Sequence, residues 1–197
     1  MDYFHILLTG FGLFWLLLAL RPHDRRVWLA EHVLTVISIA AMLAVHRYWP
    51  LTDFSYSLIF AFLFLHSIGA YFTYVRVPYD ATARWLVGRE ISRSFGWVRN
   101  HYDRLVHFAY GLLLAYPLFE LTERYAQPAT GWSYFIAISL IMASSMLFEV
   151  FEWWASALLS KGEGAAYVGA QGDEWDAQKD MALATLGAVI AMVLAAV

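Results

Sequence analysis

Two glutamates three residues apart, Glu149 and Glu152, stand in an otherwise apolar stretch, and Asp103 and His107, four apart, open another. On a helix both spacings put the pair on one face. A third set, Asp173, Asp176 and Asp180, forms an i, i+3, i+7 stripe if its segment is helical. An ionisable group at the centre of a membrane helix costs about 2.5–3.5 kcal/mol on insertion scales, so such residues face protein or water rather than lipid. Hard cations suit this donor set. Mg²⁺ takes a few carboxylates plus water and substrate phosphates, and added imidazole suits Mn²⁺ or Zn²⁺. Closely spaced carboxylates also repel, so one can hold a proton and exchange it instead.

His66, in the middle of a third apolar stretch, is a further ligand or a hydrogen-bonded interior histidine. His107 is a ligand or a general base, with Asp103 beside it. Arg99 and Arg104 would neutralise an anionic head group, helped by Gln171, Trp175 and Gln178 on the substrate side. The alternative is that both arginines simply pair with the acids in a buried ion network. Acids in the first turn of a helix also complement its dipole, which accounts for Asp176 and Asp180 but not for Glu149 or Glu152. Glu120, beside Glu123 and Arg124, reads as a solvated or snorkelling charge, and His5, His23, His32 and His46 receive no role. Ser144-Ser145 reads as a helix-packing pair, and there is no Gly-x-Ser-x-Gly elbow, P-loop or His-Glu-x-x-His. The Asp-x-x-Asp-x-x-x-Asp spacing resembles the metal-diphosphate motif of membrane prenyltransferases; their greater length and second Asp-rich motif are absent here.

The elements that carry these residues follow from bulk composition. The 197 residues are 61% apolar and 15% charged, with a mean hydropathy of +0.55, against about half and a quarter in soluble domains. The excess apolar surface must face something other than water, and lipid is the simplest candidate. A net charge of −3 does not suggest a nucleic-acid partner, and the absence of cysteine excludes disulfides and thiolate metal sites. Six segments approach the roughly 20 apolar residues that cross a bilayer: 3–20, 27–45, 54–77, 105–122, 132–159 and 181–197. The start lacks the basic region and small-residue cleavage site of a signal peptide, so the first segment is expected to be retained.

Eleven of the thirteen lysines and arginines fall after segments one, three and five, and only Arg47 and Arg124 after two and four. By the positive-inside rule this places both termini outside and the odd loops, with the acid and histidine residues, on the cytoplasmic side. The stretch 78–100 mixes Trp85, Leu86, Val87, Ile91 and Phe95 with arginines, so it is either an interfacial helix or an ordinary basic loop. With no repeat or linker, one domain is expected.

Several motifs resemble the YjdF-like family of bacterial inner-membrane proteins, a domain of unknown function. They are His66-Ser67-Ile68-Gly69-Ala70 with Tyr74, Arg99-Asn100-His101-Tyr102-Asp103-Arg104 with His107-Phe108, Glu149 with Glu152-Trp153, and Gln171-Gly172-Asp173-x-Trp175-Asp176-x-Gln178-x-Asp180-Met181. The resemblance covers nearly the whole chain. It implies an inner-membrane location and no particular reaction. Tyr71 departs from it, standing where many members carry a histidine.

The expectation is therefore an all-α, polytopic transmembrane bundle of about six helices with a polar pocket at the cytoplasmic leaflet. Glu149, Glu152, Asp173, Asp176, Asp180 and His66 are the candidate ligands for a divalent metal (Mg, Mn or Zn). The bilayer, a lipid-like or anionic small molecule and a second copy of the chain are the candidate partners. A small proton- or ion-coupled transporter, an accessory membrane subunit and a purely structural ion-paired core are the alternatives. A second polar cluster near Glu120 would favour transport, whereas a pocket closed at one side would favour an enzyme.

Overall fold

The structure, a computed structural model, describes residues 2–158 and 170–197, and all regular structure among them is helical. Residue 159 of the expected fifth segment and Lys161 lie outside the described residues. The long helices are α1 (Tyr3–Ala19), α2 (Arg25–Tyr48), α3 (Asp53–Tyr71), α6 (Tyr102–Leu121), α7 (Trp132–Leu158) and α8 (Asp176–Ala195), with two short ones, α4 (Tyr79–Val87) and α5 (Ile91–Phe95), between α3 and α6. Five of them are long and apolar enough to cross a membrane, counting α6 with the π-helical turn Thr122–Ala126 that extends it. The sixth, α1, has 17 residues and stands at the short limit. Polar caps start three of the long helices: Asp2 accepts from His5 N, Asp24 from Arg26 and Val27 N, and Thr52 Oγ from Ser55 N.

Two boundaries differ from the hydropathy reading in ways that matter for the site. Helix α3 stops at Tyr71 rather than near 77, because Thr73 and Tyr74 both take left-handed backbone angles, φ +54°. The chain doubles back so that the Tyr74 ring lies over Gly69, where any Cβ would sit 2.5 Å from the ring. Such conformations cost about 1–3 kcal/mol each in bulky residues. Helix α8 begins at Asp176, five residues earlier than hydropathy suggests, because acids and amides lower the hydropathy of its first turn. Asp173 therefore lies outside the helix, in a turn where Gln171 and Gly172 have positive φ.

The bundle is organised around α6, which packs on α3, α7 and α8, while α3 also holds α1 and α2. Helices α6 and α8 run parallel and nearly touch backbone to backbone. A Cβ on Gly111 would lie 1.8 Å from Ala184 O, and one on Gly187 would lie 2.2 Å from Phe108 O. Small residues of this kind let membrane helices approach closely. On α7 the buried positions are Ser133, Ala137, Ile141, Ser145 and Glu152, one inward stripe. On α2 they are Val27, Trp28, Glu31, His32, Thr35 and Met42. The segment 78–100 is not a featureless loop: α4 and α5 leave Trp85, Leu86, Val87 and Phe95 exposed beside arginines, as an interfacial segment would.

Candidate functional site

The α6–α8 crossing decides what faces what. His107 and Asp103 lie one and two turns before Gly111 on α6, and Asp180 and Asp176 lie one and two turns before Ala184 on α8. Residues four apart share a face, so the stripe that presses the two backbones together continues upward as facing acids and imidazole. Ligand atoms of Asp103, His107 and Asp180 all fall within 4.8 Å of one another. From α7, Glu149 closes the group. His107 Nε2 is 3.6 Å from Asp103 Oδ1 and 3.7 Å from Glu149 Oε1, both beyond hydrogen-bond length. All four side chains are almost wholly removed from the surface, Asp180 to 2% exposure.

Several buried atoms here lack a hydrogen-bond partner among the described residues. They include Asp180 Oδ1 and Glu149 Oε1 in the cluster, and His66 Nε2, His32 Nε2, Glu31 Oε2 and Ser145 Oγ near it. Native proteins leave few such atoms, and each calls for an explanation such as an ion, water or catalysis.

The other sequence candidates separate into groups. Asp173 and Asp176 hold the arginines: Arg99 Nη1 donates to Asp176 Oδ1 at 2.6 Å, and Arg104 Nη2 pairs closely with Asp173 and more loosely with Asp176 Oδ1 at 3.4 Å. Lys179 Nζ adds two contacts to Asp173, at 2.6 and 2.8 Å. Together with the Trp175 N–H and Arg104, it holds the Asp173 carboxyl well below the usual carboxylate range. His101, at the start of α6, is held below the ordinary imidazole range by burial and by the Arg104 and Arg99 charges. Arg99 Nε and Nη2 and Arg104 Nε remain without partners among the described residues.

Gln171 does not face the cluster. It exchanges two hydrogen bonds with the Asn100 backbone, at 2.8 and 2.9 Å, pinning the turn before α8 to the chain before α6. Trp175 is 63% exposed, and Gln178 is also exposed. Glu152 is buried one turn beyond Glu149. His66 receives its hydrogen bond from the doubled-back segment, with Nδ1 2.6 Å from Tyr74 Oη, and shares a cavity with Asp103 and His107.

Glu31 and His32 escape the sequence reading. Glu31 is 2% exposed and His32 3%, with His32 Nδ1 2.7 Å from Trp28 O and its ring centroid 5.8 Å from that of His66. The signal was present, since an acid and an imidazole stand four and five residues into an apolar segment. The penalty that singles out His66 applies equally to them.

At the opposite end, Glu120 is no solvated charge. It is 5% exposed, and its carboxylate accepts from Thr52 N at 2.9 Å, Thr52 Oγ at 2.8 Å, Ser55 Oγ and Arg124 Nη1 at 2.7 Å. Thr52 and Ser55 at the start of α3 supply the donors that hydropathy cannot show.

Fold and site together define a multi-pass helical membrane protein with a carboxylate–imidazole centre buried near one end of its bundle. The chain belongs to the family described as Predicted membrane protein (DUF2238), whose model matches residues 3–197. It is 36% identical over 177 residues to Inner membrane protein YjdF of Escherichia coli (strain K12), covering 88% of this chain and 79% of that protein. The spans and this relative agree on a multi-pass inner-membrane protein. No solved structure matches the chain.

Proposed function

We propose that Asp103, His107, Asp180 and Glu149 bind a divalent metal ion, with Mg²⁺, Mn²⁺ and Zn²⁺ as the candidates, and that the ion acts on a membrane-associated substrate bearing an anionic group such as phosphate. One observation carries the reading. Three ligand groups converge within 4.8 Å, and Asp180 Oδ1 is buried there with no partner among the described residues. Separations of 3.6–3.7 Å are too long for hydrogen bonds but near the edge of a coordination shell with bonds of about 2.0–2.2 Å. One imidazole with carboxylates leans towards Mn²⁺ or Zn²⁺ over Mg²⁺.

Glu152, buried one turn beyond Glu149, and His66, which lines the same cavity as Asp103 and His107, are the candidates for a proton acceptor beside the ion. The free N–H groups of Arg99 and Arg104 suit an anionic head group. Asp173 and Asp176 are engaged in orienting those two arginines. The basic-residue distribution supports a cytoplasmic position for this end, with both termini periplasmic. Proton transfer is the second reading, favoured by Glu31 and His32 on α2, His66 on α3 and Tyr74 in the doubled-back segment after it. Glu120, bound on every side, offers that reading no continuation.

The test is Mn²⁺ titration of detergent-purified protein by EPR, beside Asp180→Asn. Saturable binding of one or two ions per chain, lost in the variant, is expected. A folded wild-type protein that binds no Mn²⁺ or Zn²⁺ would sink the metal reading and leave proton transfer.

A further inference from the structure

The proposed centre lies at one side of a cavity of about 290 Å³ bounded by α2, α3, α6 and α7. His66, Tyr74, Asp103 and His107 supply its ionisable wall beside the centre, and the surface it exposes is mostly apolar, interrupted by hydroxyls such as those of Ser38, Tyr110 and Ser145. Two of its wall residues on α7, Leu147 and Phe151, are about half exposed, and Ser38 on α2 is exposed as well. A residue that both lines a cavity and faces outward marks a mouth. This mouth lies between α2 and α7, and α2 takes its close packing from α3 rather than from α7. Both helices are membrane spans with exposed apolar neighbours, Val33 and Ile37 on one and Leu140 and Met146 on the other, so the opening meets hydrocarbon. Trp153 and Trp154, exposed one turn beyond the mouth, mark the interface at the same end.

We infer that the cavity admits one hydrocarbon chain of a bilayer phospholipid laterally between α2 and α7, bringing its head group to the carboxylate–imidazole centre. This rests on the metal reading for what happens at the centre, and names the substrate class that reaches it. Apolar wall, lateral mouth and a polar end at interfacial depth match such an amphiphile in shape and order. A soluble anion would need none of the apolar wall. The buried Ser145 Oγ and His66 Nε2, without partners among the described residues, line the same space and can receive polar atoms of the ester region.

The test reconstitutes the full chain in phosphatidylethanolamine vesicles doped with a phospholipid carrying a diazirine in its acyl chain, and maps adducts by mass spectrometry after irradiation. Adducts are expected on Tyr110 and Ser144 inside the cavity, as well as on the lipid-facing Leu13 and Leu16 of α1. Ser38→Trp, which fills the mouth from an exposed position, should abolish the inner adducts and leave those on α1 unchanged. Inner adducts that persist undiminished in Ser38→Trp, or labelling confined to α1 in the wild type, would overturn the inference. Mn²⁺ binding, measured on the same samples, separates the two readings. A blocked mouth leaves it intact, whereas its absence in the wild type removes the metal without touching the labelling result.

Discussion

The bundle buries carboxylates at both ends and treats them in opposite ways. At one end Glu120 meets a backbone N–H, two hydroxyls and a guanidinium, so every lone pair that matters is taken. At the other, Asp180 and Glu149 keep an oxygen each with no partner among the described residues, although Arg99 and Arg104 lie close enough to hold Asp173 and Asp176. A buried acid left unsatisfied costs more than any hydrogen bond it fails to make. Arg99 and Arg104 pair with Asp173 and Asp176 instead, which is what the proposed metal site requires of the unsatisfied set, whereas Glu120 ties α3 to α6.

That contrast can be broken by substitution. Glu120→Ala strands the Thr52 and Ser55 donors and frees Arg124. Breaking a buried pair costs about 3–5 kcal/mol, and the half-exposed Arg124 puts this case at the lower end. A matching drop in thermal stability in detergent is expected, with Mn²⁺ binding unchanged. Asp180→Asn should do the reverse. Its stability is expected to stay level or rise, because a buried carboxyl with an oxygen lacking a hydrogen-bond partner among the described residues is replaced by an amide of the same shape, while Mn²⁺ affinity falls by more than the roughly 10–100-fold of an outer-shell change. An Asp180→Asn protein as unstable as Glu120→Ala would make Asp180 a second structural tie and erase the difference between the ends.

Much of this architecture was legible in advance. The penalty for charge in lipid singles out Asp103, His107, Glu149 and Glu152, and spacing alone puts each pair on one face. Depth was legible too, since α6 and α8 start where α7 ends. Partnership was not. Whether Asp176 meets Arg99 or joins Asp180 depends on the α6–α8 crossing at Gly111 and Gly187, which no periodicity encodes. The ties on Glu120 are hidden for the same reason, because Thr52 and Ser55 donate to it from far away in sequence. Tyr74 reaches His66 only through two left-handed residues that hydropathy reads as more helix.

Within the open end the same contrast recurs over one helical turn, and Asp176→Asn sharpens it. Its Oδ1 accepts from Arg99 at 2.6 Å, a hydrogen bond to a charged group worth about 1.5–3 kcal/mol. A loss near 2 kcal/mol in stability is expected with Mn²⁺ binding retained. Loss of binding in Asp176→Asn, with stability untouched, would transfer Asp176 from the arginine network to the metal.

The smallest effect concerns Asp173, which lies outside the spans and contacts Lys179 and Arg104 in the first turns of α8 and α6. Its folded-state pKa is depressed below the unfolded value, so its contribution is complete above the ordinary carboxylate pKa of about 4 and is lost as pH falls through the lower folded value. The wild type should therefore lose thermal stability below about pH 4 more steeply than Asp173→Asn, and the two curves should run parallel above about pH 5. Equal acid slopes in the wild type and Asp173→Asn would mean that the lysine–arginine clamp adds no stability.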